Sequence, residues 1–392
     1  MSTRSTLAFL KTETGSGLLL ALAALVAIVW ANSPFAGSYE TFIGQVVPVR
    51  FGPFEATYSV GEWVKTALMP VFFFVVGLEI KHELLRGELA NPRRLALPLL
   101  ATVGGVVAPA LVYLAVNRGG PGAGGWPIPT ATDIAFALAI LAVAAPRLPP
   151  PLRVFLLTLA IVDDLIAVAL IAVLFAEGLR PVMLAGAAAT LAVMAAMGRW
   201  RTAPYVFWAV GGLLLWGFTL KSGINTSLAG VALAFCVPLE ARKPGAPGML
   251  QETMHALHPY VAFLILPLFA LTAAGFQAVG AGTPDVLGPV SLGVAAGLFL
   301  GKQLGVFGAA ALAIGLKWAR RPTGAGWLEL YGVSVLCGVG FTMSLYIGEL
   351  AFAGDPVLTP QARAGVVLGS VTSAVVGAAV LMAAQRRRRA QG

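Results

Sequence analysis

Apolar segments long enough to cross a hydrocarbon core recur along this chain with only short polar gaps between them. They fall near 16–33, 60–80, 95–117, 128–146, 152–176, 181–198, 204–220, 223–238, 257–280, 287–315, 327–349 and 363–384. Crossing a bilayer takes about 20 residues of helix, and backbone in lipid must satisfy its own hydrogen bonds, which a helix does within one segment. The pattern predicts an all-α polytopic membrane protein with twelve transmembrane helices, the eighth of them short. An even number of crossings puts both termini on one side. Charged residues make up 11% of the chain against about 25% in soluble proteins, which agrees with that class. The first apolar run follows Arg4 and Lys11 as a leader would, but so many spans follow it that it reads as an uncleaved first helix.

A net charge of +9 raises the question of nucleic acid, and the placement of the charge answers against it. The basic residues sit in the gaps between apolar runs, as topology signals do. One alternating set of gaps holds 19 of the 26 Lys and Arg, from Arg4 and Lys11 through Arg93 and Arg94 to Arg386–Arg389 in the tail 385–392. The other set holds 6, and Lys302 remains inside a span. The asymmetry predicts cytoplasmic N- and C-termini. Cys236 and Cys337 each lie in an apolar run and read as buried free thiols. His82, His255 and His258 are too scattered for a transition-metal site.

The non-cytoplasmic stretch 41–58 differs from the rest. Its β-branched and aromatic residues flank Phe51-Gly-Pro53, which reads as a short β-hairpin restricted by Pro48 and Pro53 to edge-like pairing. Its edge would suit a second copy of the chain; an ordinary solvated loop is the alternative.

Four ionisable residues lie where lipid is expected: Asp133, Asp163, Asp164 and Lys302. One Asp at the centre of a membrane helix costs roughly 2.5–3.5 kcal/mol, and two adjacent ones add repulsion. A cation, a proton or a buried base has to compensate them. Consecutive helix positions point about 100° apart, so one of Asp163 and Asp164 can face a cation pathway while the other faces a base. Lys302 is the one base buried in a span. Around Asp133, Pro127, Pro129, Thr130 and Thr132 discourage a continuous helix, freeing carbonyls and the Thr132 hydroxyl as hard donors for a small cation. Gly338 and Gly340, just ahead of Thr342, weaken the eleventh span in the same way. Spans 3–5 (95–176) and 10–12 (287–384) each contain one interrupted middle helix, the pattern of two inverted repeats within a single membrane domain of 392 residues. The blander readings are a static salt bridge for Asp163–Lys302 and polar contacts between helices for Asp133 and Asp164.

At these residues the chain resembles the bacterial Na+/H+ antiporter A family. The stretches that carry the resemblance are Thr130–Ala137, Ile161–Leu165, Gly77–Lys81, Gly301-Lys302, His258-Pro259 with Leu264–Phe269, and Gly338–Thr342. It implies twelve helices with the fourth and eleventh broken and crossing near midmembrane, in a bacterial inner membrane. It also implies electrogenic exchange of about two H+ for one Na+ or Li+, regulated by pH, with no enzymatic activity and no cofactor beyond the transported ions. Asp164 would bind the cation and exchange a proton, with Asp163 and Thr132 contributing to the Na+ site. Asp163 would pair with Lys302 for a second proton-linked event. Thr132 and Asp133 would assist and balance the helix ends of the break at Gly338, Gly340 and Thr342. Segment 41–58 would join a homodimer. Glu79, His82, Glu83, Glu252 and His255 would sense pH at the cytoplasmic mouth, or be ordinary interfacial residues. Here the chain departs from the family: His82 replaces a usual arginine, Asn225 a histidine, and Met254 precedes His255 where members carry a Glu-His pair. The competing classes are a Na+-coupled symporter of a small organic anion, a cation channel and a membrane scaffold. A channel would read ions with rings of like groups, which one acidic pair facing a lysine does not offer.

Overall fold

The computed structural model describes residues 13–51, 54–90, 92–176, 178–199, 204–240, 248–277 and 287–391. The chain begins with α1 (Glu13–Ala31) and α2 (Ala36–Gly44). Next come two strands, β1 (Val46–Phe51) and β2 (Phe54–Ser59), paired antiparallel from Val46–Ser59 to Phe51–Phe54. The remaining elements are helical: α3 (Val60–Arg86), α4 (Pro92–Val116), α5 (Ile134–Ala144), α6 (Pro150–Leu174), α7 (Pro181–Arg199), α8 (Tyr205–Ser222), α9 (Ser227–Cys236), α10 (Met249–Ala273), α11 (Pro289–Gly315), α12 (Trp327–Leu336), α13 (Phe341–Ala351) and α14 (Leu358–Gln391). Eight helices among the described residues are long and apolar enough to cross a membrane, or ten spans if each of two bent pairs counts as one. The protein is a multi-pass membrane protein, mostly helical.

Two of the apolar runs form shorter helices than their length suggests. In the run 128–146, Pro127 and Pro129 leave a 3-10 turn at Ile128–Thr130, and the regular helix starts only at Ile134. In the run 223–238, Gly223 takes a left-handed conformation (φ 86°) that ends α8, and Asn225 Oδ1 accepts from Ser227 N to start α9. The stretch read as a hairpin from residue 41 is helical up to Gly44, and its first strand begins at Val46. Tyr39 explains the difference: it is buried, and its hydroxyl donates to the Leu271 carbonyl at 2.9 Å, anchoring α2. Ser59 and Glu62 form a capping box that ends the second strand and opens α3.

The chain forms two compact units, each assembled from distant segments, which is why no linker in the sequence marks them. One comprises the described parts of Met1–Gly37, Asn91–Ala167 and Ala273–Gly392. Its core gathers Leu97, Leu141, Leu156, Val306, Val333 and Leu381. Glycines bring its helices unusually close: a Cβ on Gly305 would overlap the Gly104 carbonyl, so α4 and α11 meet backbone to backbone. The other unit comprises Ser38–Ala90 and Val168–Thr272, with a core built on Leu78, Met194, Trp208, Val237 and Leu250. In it Lys81 Nζ donates to the carbonyls of Phe235 and Val237 at 2.7 and 2.6 Å, closing the C-terminal end of α9.

Candidate cation and proton site

Asp133 occupies the N-cap of α5, in the extended conformation usual for an N-cap. Its Oδ1 accepts from the Phe136 amide at 3.0 Å, the capping bond of its own helix. Its Oδ2 accepts from the Thr342 amide at 3.0 Å and the Thr342 hydroxyl at 2.5 Å, at the start of α13. The Asp133 amide in turn donates to the Val339 carbonyl at 2.7 Å. One carboxylate therefore serves two helix N-termini, where orphan amides and the helix dipoles favour negative charge.

The residues between α12 and α13, Cys337 to Gly340, are not helical. The glycines there do more than weaken a helix. A Cβ on Gly338 would overlap the Leu298 carbonyl and the Ser373 hydroxyl, and one on Gly340 would overlap the Ser344 hydroxyl. Gly340 itself has ordinary right-handed torsions (φ −94°, ψ −13°), so the requirement there is for space. Carbonyls left outside the helical ladders find donors: Cys337 O accepts from Thr132 Oγ1 at 2.9 Å, and Ile128 O from Ser344 Oγ at 2.7 Å.

Lys302 lies between two π-helical turns of α11, Gly297–Gly301 and Gln303–Phe307. Such widened turns recur at functional sites because they re-aim a side chain without breaking the helix. Its Nζ donates to Asp163 Oδ2 at 2.7 Å, with both side chains fully shielded from solvent. Thr132 Oγ1 lies 2.6 Å from the same oxygen. A hydroxyl has one proton, so Thr132 donates to Asp163 or to the Cys337 carbonyl, not fully to both. Asp163 Oδ1 is buried with no hydrogen-bond partner among the described residues. Asp164, one residue further along α6, is equally buried. The structure thus gathers Thr132, Asp133, Asp163, Asp164, Lys302 and Thr342 in one unit, all of them buried.

Three buried carboxyls against one ammonium leave two negative charges in excess if all ionise. Low dielectric makes such an excess untenable unless protons or a cation offset it. Carboxylate, hydroxyl and carbonyl oxygens are the donors a small hard cation takes. Among the described residues no three His, Cys, Asp or Glu side chains gather as metal ligands.

A family model described as Na+/H+ antiporter 1 matches residues 7–381. The chain belongs to that family. A Na(+)/H(+) antiporter NhaA of Nitrobacter hamburgensis is 49% identical over 375 residues, covering 95% of this chain and 90% of the relative. One from Bordetella parapertussis is 47% identical over 379 residues, with 95% of each chain covered. One from Pseudomonas putida strain GB-1 is 45% identical over 383 residues, covering 97% of this chain and 98% of the relative.

The other candidates of this Na+/H+ antiporter family chain fall in the second unit. Glu79, His82 and Glu83 ride on α3, Glu252 and His255 on α10. Gln251 joins the two sets: its Nε2 lies 3.4 Å from His82 Nε2, and its carbonyl lies 2.7 Å from His255 Nδ1. His82 Nδ1 is 3.7 Å from Glu83 Oε1, and Glu252 bonds the Tyr205 hydroxyl. Sequence reasoning missed Gln251 and Tyr205, which carry no signal of their own. It also missed Glu329, buried at the first turn of α12, where it accepts from the Gly326 amide at 2.8 Å and from Arg388 at 3.0 Å. An acid at the head of an apolar run was the available sign.

Proposed function

We propose that this chain exports Na+ or Li+ in exchange for protons across a bacterial inner membrane. The exchange is electrogenic, at about two H+ per Na+, and pH-regulated. The observation that carries the reading is the sealed Asp163–Lys302 pair at 2.7 Å, beside Thr132 and one residue from Asp164. In this scheme Asp164 alternates between proton and cation, with Asp163 and Thr132 completing the Na+ site. The Asp163–Lys302 pair, opened as the cation draws Asp163 away, carries the second proton-linked event. With Asp164 exchanging one proton and the Asp163–Lys302 pair linked to the other, two protons return for each cation. Asp133 holds the N-terminus of α5 and that of α13, at Gly338, Gly340 and Thr342, so that neither presents bare positive potential to the cation. Glu79, His82, Glu83, Glu252 and His255, linked through Gln251, set the pH response.

The topology that goes with this function has twelve crossings: the ten spans counted by length and composition, plus α8 and the short α9. Residues 95–176 and 287–384 act as inverted repeats of one transporter domain, with broken helices crossing at Asp133 and at Gly338–Gly340. Both termini lie in the cytoplasm, and the strands within 41–58 join a homodimer. The relatives named above are antiporters by name, which supports transport over enzymatic catalysis.

The test is ΔpH dissipation in everted vesicles on adding Na+, Li+ or K+ from mildly acidic to alkaline pH. Wild type should dissipate with Na+ and Li+, and Asp164→Asn should not. Na+-driven proton flux retained in the mutant would refute the assignment of Asp164. Silence of the wild type at every pH would favour Na+-coupled uptake of a small organic anion.

A further inference from the structure

The N-terminus of α13 has two acceptors, and the sequence motifs account for one of them. Thr342 donates to Asp133, while the amide immediately before it, that of Phe341, donates to Ser370 Oγ at 3.2 Å. Ser370 lies on α14, is 3% exposed, and reaches the break because glycines on the same helix allow close packing. Gly369 rests on Leu298 and Ala295, and Gly377 on Leu336. We infer that Ser370 is a positioning residue for the cation site, acting through the first turn of α13 on Asp133. This inference rests on the exchange function proposed above.

The physical argument concerns two adjacent orphan amides and where they find acceptors. With Ser370 present, the Phe341 amide is satisfied by a neutral hydroxyl, and Asp133 Oδ2 serves Thr342 alone. Without the hydroxyl, a buried N–H is left unmet, which helix termini do not tolerate without rearrangement. The acceptor on the adjoining amide is Asp133 Oδ2. Drawing it toward Phe341 commits more of the carboxylate to the protein and leaves less of its charge for a cation. The turn would also carry the Val339 carbonyl, to which the Asp133 amide is bonded, and so shift the donor set as a whole. Ser370 is therefore expected to govern how tightly the cation is held rather than how fast the loaded carrier turns over.

Ser373, one turn further along α14, supplies the control. Its hydroxyl is fully buried beside Gly338 and has no hydrogen-bond partner among the described residues. Removing an unmet buried hydroxyl relieves a desolvation cost and breaks no bond. Two serines three residues apart on one packed face should thus respond differently to the same substitution.

The experiment measures Na+-driven proton exchange by the full-length chain in proteoliposomes, as half-saturating Na+ and as maximal rate, for wild type, Ser370→Ala, Ser370→Thr and Ser373→Ala. Ser370→Ala should raise half-saturating Na+ roughly tenfold with the maximal rate kept. Ser370→Thr, which restores a hydroxyl, should bring it back, and Ser373→Ala should match wild type. Thermal unfolding of each purified variant identifies loss of fold. If Ser370→Ala saturates like wild type, if threonine fails to rescue it, or if Ser373→Ala shows the same rise, the inference is overturned. A wild type that exchanges no Na+ for protons would overturn the proposed function instead.

Discussion

Taking Asp163 and Lys302 out of water costs several kcal/mol per ion, and their mutual attraction offsets this only while both are present. Truncating one partner leaves the other's charge buried alone. Lys302→Ala should therefore lower stability by about 3–5 kcal/mol, seen as reduced thermal unfolding temperature of the purified protein. The double variant Asp163→Asn with Lys302→Gln should recover part of that loss, since the two sites share one bond and their effects do not add. A double variant no more stable than Lys302→Ala would argue against direct coupling. The same double variant should lose the dependence of exchange on membrane potential while still binding Na+, measured with an imposed potential across proteoliposomes. Undiminished potential dependence would remove the pair from the proton-carrying role. These groups were legible in the sequence because each is expensive in lipid and nothing else in its run explains it. Asp133 was legible as a buried acid, and the family resemblance set it against the helix ends of the break, but its bond to Thr342, 209 residues away, left no local mark in the sequence. Ser370 was silent for a different reason: a serine in an apolar helix has many ordinary uses.

At the scale of elements, the contact between α4 and α11 sets where Lys302 can sit. Gly104 and Gly305 bring the two backbones together, and Gly105 faces the lysine, its Cβ position 3.7 Å from Nζ. Gly305→Ala would drive a methyl into the Gly104 carbonyl, backbone that has no rotamer to yield. It should cost about 1–3 kcal/mol as overpacking and impair exchange by displacing the segment that carries Lys302. Gly308→Ala, three residues on in the same helix, meets nothing within 4 Å. It should be neutral or stabilise by about 0.5–1 kcal/mol, the ordinary gain from glycine to alanine in a helix. Comparing the two by thermal unfolding separates packing from propensity, and equal effects would sink the close-contact argument. The interruptions at Pro127–Asp133 and Cys337–Gly340 were legible because proline and paired glycines mark them. The π turns beside Lys302 were not, because no proline marks Gly297–Phe307, where Gly301 and Gly305 lie against Pro109 and Gly104 of α4.

At the scale of the whole molecule, the residues read as cation- and proton-binding all belong to one unit, while the strands and the candidate pH-responsive residues belong to the other. The strand pair is the part of the second unit least explained by the chain itself. Two strands alone are marginal in water, and the Arg50–Glu55 ion pair across them is exposed and adds little. Val46 is 60% exposed and Val49 41%, an apolar surface beside an open sheet edge. Trp63 Nε1 donates to the Val47 carbonyl at 2.8 Å and Lys221 Nζ to the Glu55 carbonyl at 2.6 Å, so the pair is held in place without being covered. A second copy of the same strands would cover it under two-fold symmetry. The Val60 amide donates to the Gln45 carbonyl at 3.0 Å, so the ends of the pair are already adjacent. Replacing residues 46–58 by a short glycine linker should therefore leave Ser59 and its capping box intact. In mild detergent the full chain should run as a dimer by light scattering, and the shortened chain should run as a monomer that keeps Na+ exchange per protomer. A dimer that survives the deletion would place the interface elsewhere. Exchange lost along with the dimer would mean that the copies depend on one another for transport, which a site drawn entirely from one unit of one chain does not predict.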